Sequence, residues 1–465
     1  MARTNTNADD VLSYSDDARA AGLPNAYDGS GVLLGVLDTG IDFQHIAFKD
    51  KNGNYRLKRA YVYTGNGTGT EYSSFSNLTT DNSSADHGTH TCSTAGGSSV
   101  IFSGNHGSTV TVTDNHANAT YGGMAPNADL YLAGLSSLVS TELSNAVSKV
   151  VNYAESTGQP VVVSNSWGSQ WGPHDGTGDD ADVYNDLFGE GHPNRIALFA
   201  ASNDAGISKD GEGGGYHIKG TASSSNPLQT IIRSAAYINT DGGSFYSGIL
   251  ANAWARSTNV SQLSCKVMVV NINTGQVLKT TTVTPTTSGT KVDLGNYYSG
   301  TLYAVKDYTA NYISETATYN KTQLALVATS ELQSSSISTT NNNGSTYYVS
   351  DYTLAVEFYP STGSSIIDVW GGTNPCYFTN QVNSSGYNWQ AGSDDMCVSD
   401  QATIGSVISI GAHITKNTHV DYNGNSQTDS DFATIGDIAY FSSYATATES
   451  PTGLQYPWIT APGAR

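Results

Sequence analysis

Asp38 closes the apolar run Gly31–Leu37 and opens an Asp-Thr-Gly triplet. His87 lies in the string Asp86-His87-Gly88-Thr89-His90. A carboxylate bonded to one imidazole nitrogen fixes the ring's tautomer and stabilises the imidazolium formed when the other nitrogen takes a proton. Asn203 follows a second apolar run, Ile196–Ala201, in a turn of small residues. A side-chain amide there can donate a hydrogen bond to an oxyanion. Ser166-Trp167-Gly168 follow a third run, Pro160–Asn165. Glycines at 40 and 88 let backbone or substrate approach closely. Each residue alone also has a structural explanation, a core histidine for His87 and core filling for Trp167. The case for chemistry rests on the set.

The elements that must position these residues follow from pattern. Short apolar runs bounded by turn signals read as buried parallel strands. Gly31–Leu37, Met124–Gly134, Pro160–Asn165 and Ile196–Ala201 are four such runs. Asp38 then stands at the carboxyl edge of a sheet, where sites assemble in open α/β folds. A short helix is expected from about His87 to Gly96. A longer one is expected over Ser140–Ser156, with Leu143, Ala146, Val147, Val150 and Val151 on one stripe. Asp9–Ala21 reads as a short amphipathic helix, and Tyr61–Ala85 as polar loop. After about residue 215 the pattern changes to short alternating strands separated by Gly-, Asn- and Ser-rich turns, the mark of an antiparallel sandwich. The α/β pattern returns at Ile404. The expected fold is therefore α/β, a parallel sheet with flanking helices in two pieces (1–215 and 401–465). An antiparallel β-sandwich is inserted over 216–400.

The chain has 465 residues, with 20 Lys plus Arg against 40 Asp plus Glu, a formal net charge of -20. Nucleic-acid binding needs concentrated basic residues, so no nucleic-acid partner is expected. The same field disfavours strongly acidic substrates. No membrane span is expected, since no apolar run nears 18 residues. The amino terminus has no apolar signal region. The composition, with 49 Gly and few Lys, is that of an exported bacterial protein.

Taken together, VLDTGID (36–42), HGTHTCSTAGG (87–97), GMAPNADLYLAG (123–134), NSWGS (165–169), AASNDAG (200–206), SVISIGA (406–412) and IAYFSSYA…APG (438–463) resemble the subtilisin-like serine proteases in order and spacing. The resemblance covers nearly the whole chain outside the insertion. It implies a subtilisin-like fold and a serine endopeptidase acting on protein or peptide substrates. By resemblance Asp38 is the triad acid, His87 the general base and Asn203 the oxyanion-hole donor. Ser166, Trp167 and Gly168 line the substrate site, pairing with an extended peptide, and His90 is structural. The insertion resembles, in architecture, a jelly-roll-like domain of clostridial spore-germination proteases. An α/β-hydrolase is excluded by order, because there the Ser precedes the Asp and His.

The family's nucleophile lies in a Gly-Thr-Ser-Met-Ala-like motif after Ala461-Pro462-Gly463, and that motif is absent from these residues. The expectation is a precursor cleaved after Arg465, with the Ser on a separate C-terminal chain that stays associated. A secreted, cell-surface or periplasmic location goes with this. The alternative is an inactive or truncated subtilase fold serving as a binding or scaffold module.

No cofactor is required by this reading; the resemblance allows calcium as a structural ion. Weak candidates are Asp421, Asn423, Asn425 and Asp429, with Asp431 beyond, in an oxygen-rich loop. Asp179, Asp180 and Asp182 form a second acidic cluster; both groups also read as solvated loops. Of the four cysteines, Cys376 and Cys397 flank a loop that a disulfide can span, and Cys92 reads as a small buried hydrophobe.

Overall fold

A computed structural model provides the structure. It describes residues 6 and 8–464, except 82, 84–85, 103–109, 114–120, 137, 207–213, 235–244, 258–261, 300–301, 306–308, 314–317, 333–335, 341–345, 372–375, 421–423 and 433.

The core of the first region is an eight-stranded sheet. Its strands, numbered in chain order, are β1 (Leu33–Asp38), β2 (Leu57–Tyr63), β3 (Thr70–Tyr72), β4 (Asp129–Leu135), β5 (Val161–Asn165), β6 (Arg195–Ala200), β7 (Val407–Ile414) and β8 (Ile459–Ala464). The spatial order is β8-β7-β6-β5-β1-β4-β2-β3. All neighbours are parallel except the β2–β3 pair. β1 is buried along its whole length, as a central strand covered on both faces must be.

Side-chain alternation splits that core into two layers. Leu33 and Leu37 face one layer, with Tyr131, Val161 and Phe199, and helices α2 (Ser140–Thr157) and α3 (Ala181–Phe188) cover it. Leu34 and Val36 face the other, with Ile41, Phe43 and Leu130, and helix α1 (His87–Gly96) contributes Cys92 there. The stripe expected on α2 is fully buried: Leu143, Ala146, Val147, Val150 and Val151 all pack on the sheet. Each larger one contributes roughly 1.5–3 kcal/mol. α2 ends at Gly158, whose φ of 69° is the left-handed cap that glycine adopts without strain. The helix lies so close to β1 that a Cβ on Gly35 would sit 2.6 Å from Val150 Cγ1.

Three expectations change. Asp9–Ala21 forms two short helices, Ala8–Ser13 and Asp16–Ala20, broken at Tyr14 where φ is 53°. Within the stretch 61–85 expected as loop, residues 61–63 close β2 and Thr70–Tyr72 form β3, which pairs antiparallel with it. Cys376 and Cys397 are not bridged; each is a free, buried thiol pushed up to about 12 by burial.

Between β6 and β7 the chain leaves the sheet and builds two large antiparallel sheets and a small hairpin of Ser336–Thr340 with Thr346–Ser350. One runs His217–Ser223, Ser364–Gly371, Phe245–Ser257, Thr318–Leu332, Leu302–Val305 and Thr290–Lys291 in spatial order. The other runs Val277–Val283, Leu263–Asn271, Tyr352–Pro360, Leu228–Ser234, Cys376–Thr379 and Gly214–Gly215. Their inner faces share one core: Ile218, Ala253 and Val369 from the first meet Val267, Phe358 and Phe378 from the second. This is the inserted sandwich, with its own buried layer.

Candidate active site

Asp38 is the last residue of β1 and is buried. His87 is the first residue of α1. His87 Nδ1 lies 2.8 Å from Asp38 Oδ1. An ionised carboxylate only accepts, so Nδ1 carries the proton and Nε2 is left as the base on a side chain 55% exposed. Two further donors hold the carboxylate. The Thr39 N–H reaches Oδ1 at 2.7 Å and the Thr91 hydroxyl reaches Oδ2 at 2.8 Å. Hydrogen bonding to Asp38 raises the pKa of His87 above its ordinary 6.5, against a smaller lowering by burial.

The two motifs are clamped together by backbone. Gly88 N–H donates to Thr39 O at 2.7 Å, and Thr89 N–H to Gly40 O at 3.1 Å. The Thr89 hydroxyl donates to Gly40 O and accepts from Asp42 N–H. A Cβ on Gly88 would lie 2.7 Å from both Ile41 Cγ1 and Thr39 O, so only glycine permits this approach. Gly40 takes a φ of 77°. Its N–H and that of Ile41 donate to Asp81 Oδ2 at 2.7 and 3.3 Å. Asp81 is fully buried and thereby holds the turn that carries Asp38.

Asp81 and Thr91 were not singled out from the sequence. Thr91 carried a signal: it is four residues beyond His87, on the same helix face. Asp81 carried none, lying in a polar run far along the chain from the turn it supports.

Asn203 lies just past β6, two strands from β1, roughly 10 Å across the same sheet edge at 4.7–4.9 Å per strand. Its side chain is exposed. Its neighbours are fixed: Ser202 has a φ of 101°, and Asp204 accepts from Gln170 Nε2 at 2.7 Å while its N–H donates to Ser443 Oγ at 2.9 Å. Ser166, Trp167 and Gly168 continue β5, and among the described residues they make no backbone hydrogen bond. Trp167 packs edge-on against Phe199 at 5.0 Å. Gly168 abuts the segment returning from the insertion, where a Cβ would lie 2.4 Å from Ser399 Cβ. The His90 backbone N–H donates to Asp86 O at 3.3 Å.

For metal the outcome is thin. Asp421 and Asn423 lie outside the described residues. Asn425 is exposed, and Asp429 Oδ1 accepts from Asp431 N–H. Asp182 stands in the first turn of α3, suited to the helix dipole. Among the described residues no three His, Cys, Asp or Glu side chains converge on a metal site. No helix among them is long and apolar enough to cross a membrane.

Comparison with known proteins agrees with the architecture. The structure of the Clostridium perfringens CspB protease matches with a TM-score of 0.56 and 18% identity, over 96% of this chain and 77% of that one. That coverage extends through the inserted sandwich. A structure described as an S41 psychrophilic protease matches with a TM-score of 0.28 and 19% identity, over 43% of this chain and 52% of that one. No curated protein matches. The family model of the subtilases matches residues 29–465, and the chain belongs to that family of serine-protease-like proteins.

Proposed function

We propose that the chain belongs to a serine endopeptidase in which Asp38 and His87 form two members of an Asp-His-Ser triad. The observation carrying this is the 2.8 Å contact between a buried Asp38 and a half-exposed His87 at the carboxyl edge of the sheet. His87 Nε2 takes the proton of a serine hydroxyl as that oxygen bonds to the substrate carbonyl carbon. Asp38 stabilises the resulting imidazolium. The Asn203 amide donates to the tetrahedral oxyanion. Collapse breaks the C–N bond, His87 returns its proton to the leaving amine, and water hydrolyses the acyl-enzyme by the same route. Ser166–Gly168 pair with the substrate backbone as an added strand, which their unengaged backbone groups suit.

The serine is expected in the family's nucleophile motif, which residues 1–465 do not contain. An exposed apolar patch beside β8 is fit to receive the segment that carries it. Ile438, Tyr440, Tyr444, Trp458 and Ile459 are all exposed beside β8. Ile438, Tyr440 and Tyr444 with Pro457 line a common cavity of about 420 Å³. Patches of this kind mark surfaces meant to be covered. The reading places the enzyme outside the cytoplasm. The retained hydrogen bonds around Asp38 argue against decay to a scaffold. The test is hydrolysis of casein by the purified native protein and by His87→Ala. Activity in the first that is lost in the second is expected; equal activity in both overturns the assignment.

A further inference from the structure

A cavity of about 420 Å³ lies beside the Ser166–Gly168 segment, within the 300–1,000 Å³ usual for ligand pockets. Three tryptophans line it: Trp167, Trp171 and Trp254. Three carboxylates line it too, Asp179, Asp180 and Asp400, and no Lys, Arg or His does. Asp180 and Asp400 are 1% and 2% exposed. Asp180 Oδ2 accepts from Gln401 Nε2 at 3.0 Å, whereas its Oδ1 is buried without a hydrogen bond. The indole N–H of Trp167 is likewise buried without an acceptor.

The acidic floor is built. A Cβ on Gly178 would lie 1.8 Å from Asp400 Oδ2, and one on Gly172 would lie 2.2 Å from Asp400 Cγ. Two glycines thus vacate the space that the Asp400 carboxylate fills. Asp400 is held from outside as well, its N–H donating to Ser169 O at 2.9 Å and its Oδ1 accepting from His174 N–H at 2.7 Å. Burial pushes the Asp180 carboxyl above its ordinary value, with Asp179 adding to the rise and the side chains of Gln401 and Ser140 opposing it. A buried carboxylate oxygen with no partner is costly unless a donor arrives. Indole faces beside carboxylates suit an organic cation better than a hydrated metal ion. No three-ligand metal cluster exists among the described residues.

Resting on the protease reading, we propose that this cavity receives a basic side chain, arginine or lysine, of the peptide lying along Ser166–Gly168, with Asp180 Oδ1 as the acceptor. Trp254 belongs to strand Phe245–Ser257 of the inserted sandwich, and Asp400 and Gln401 to the segment returning from it. The insertion thereby completes a specificity pocket. Side chains of an extended peptide alternate, so one face of the substrate strand meets the cavity.

The test separates the pocket from the catalysis. N-acetyl-arginine amide is titrated into the native protein, followed by tryptophan fluorescence, with N-acetyl-norleucine amide as the neutral control. At least tenfold tighter binding of the arginine probe is expected. Asp180→Asn, near-isosteric, should remove that preference while leaving the melting temperature within a few degrees. Trp254→Leu should weaken both probes. Equal binding of the two probes, or an unchanged preference in Asp180→Asn, overturns the proposal. The binding readout needs no nucleophile. Arginine preference in protein that a fluorophosphonate does not label upholds the pocket and overturns the protease reading. Labelling without preference does the reverse.

Discussion

Among the described residues two histidine–aspartate pairs of similar distance stand in opposite settings, one through Nδ1 and one through Nε2. His87 and Asp38 meet at 2.8 Å on the carboxyl edge of the parallel sheet, and the histidine side chain is 55% exposed. His217 and Asp368 meet at 3.0 Å between adjacent strands of the inserted sandwich, with side chains 1% and 3% exposed. The second histidine also stacks on Trp370 at 5.0 Å. The chemistry of the pair is the same in both places. Only the first leaves a nitrogen that a substrate or nucleophile can reach. The carboxyl edge leaves His87 open to solvent, whereas His217, although it begins the edge strand His217–Ser223, is sealed against Trp370. The pair in the sandwich therefore fixes structure, and the pair at the edge is fit for proton transfer.

That contrast can be broken or sharpened by substitution. The largest effect is expected at the edge. His87→Ala should lower kcat by roughly 10⁴–10⁶-fold, on the scale seen when a triad member is removed, with little change in unfolding free energy. His217→Ala should do the opposite. It removes the ion-pair partner of a buried carboxylate, so roughly 3–5 kcal/mol of stability should be lost in denaturant unfolding, while the folded fraction keeps its kcat. A comparable kcat loss in both variants would erase the distinction.

Asp38→Asn should lower kcat by about 10⁴-fold, because the amide disfavours the productive tautomer. Thr91→Val removes one donor to the carboxylate. A charged hydrogen bond is worth about 1.5–3 kcal/mol, so a roughly ten- to hundredfold fall in kcat with KM unchanged is expected. A change in KM alone would assign Thr91 to packing.

The smallest effect is on pH. His87 must be neutral to act as base, and its pKa is raised from 6.5 chiefly by Asp38. The acid limb of kcat/KM should have its midpoint above that value. In the residual activity of Asp38→Asn the midpoint should move down. The stability linkage has the other sign. A raised folded pKa means protonated His87 stabilises the fold at low pH, and that contribution is lost as pH rises through the folded value. A midpoint unmoved by Asp38→Asn would uncouple the pair.

Much of the site was legible in the sequence because it is local. The Asp38 turn, the His87 helix start and the Asn203 turn are each written in a few consecutive residues, and helix α1 spans His87–Gly96 as its glycines suggest. What was not legible is what acts over distance. Asp81 reaches the Gly40 and Ile41 N–H groups across some forty positions, with no periodic signal. β3 hid because it is three residues long at the sheet edge and is largely exposed, so it carries no apolar run. The pocket floored by Asp180 and Asp400 joins residues from both sides of the insertion, and Gly172 and Gly178 read as ordinary turn residues until the carboxylate they admit is seen.

The central claim is that the Asp38–His87 pair serves a serine nucleophile. Denaturing intact-mass measurement of the purified native protein, with and without a fluorophosphonate probe, tests it most directly. The account predicts a probe adduct on the native protein and no adduct after His87→Ala. Folded protein in which no polypeptide gains the adduct would contradict it.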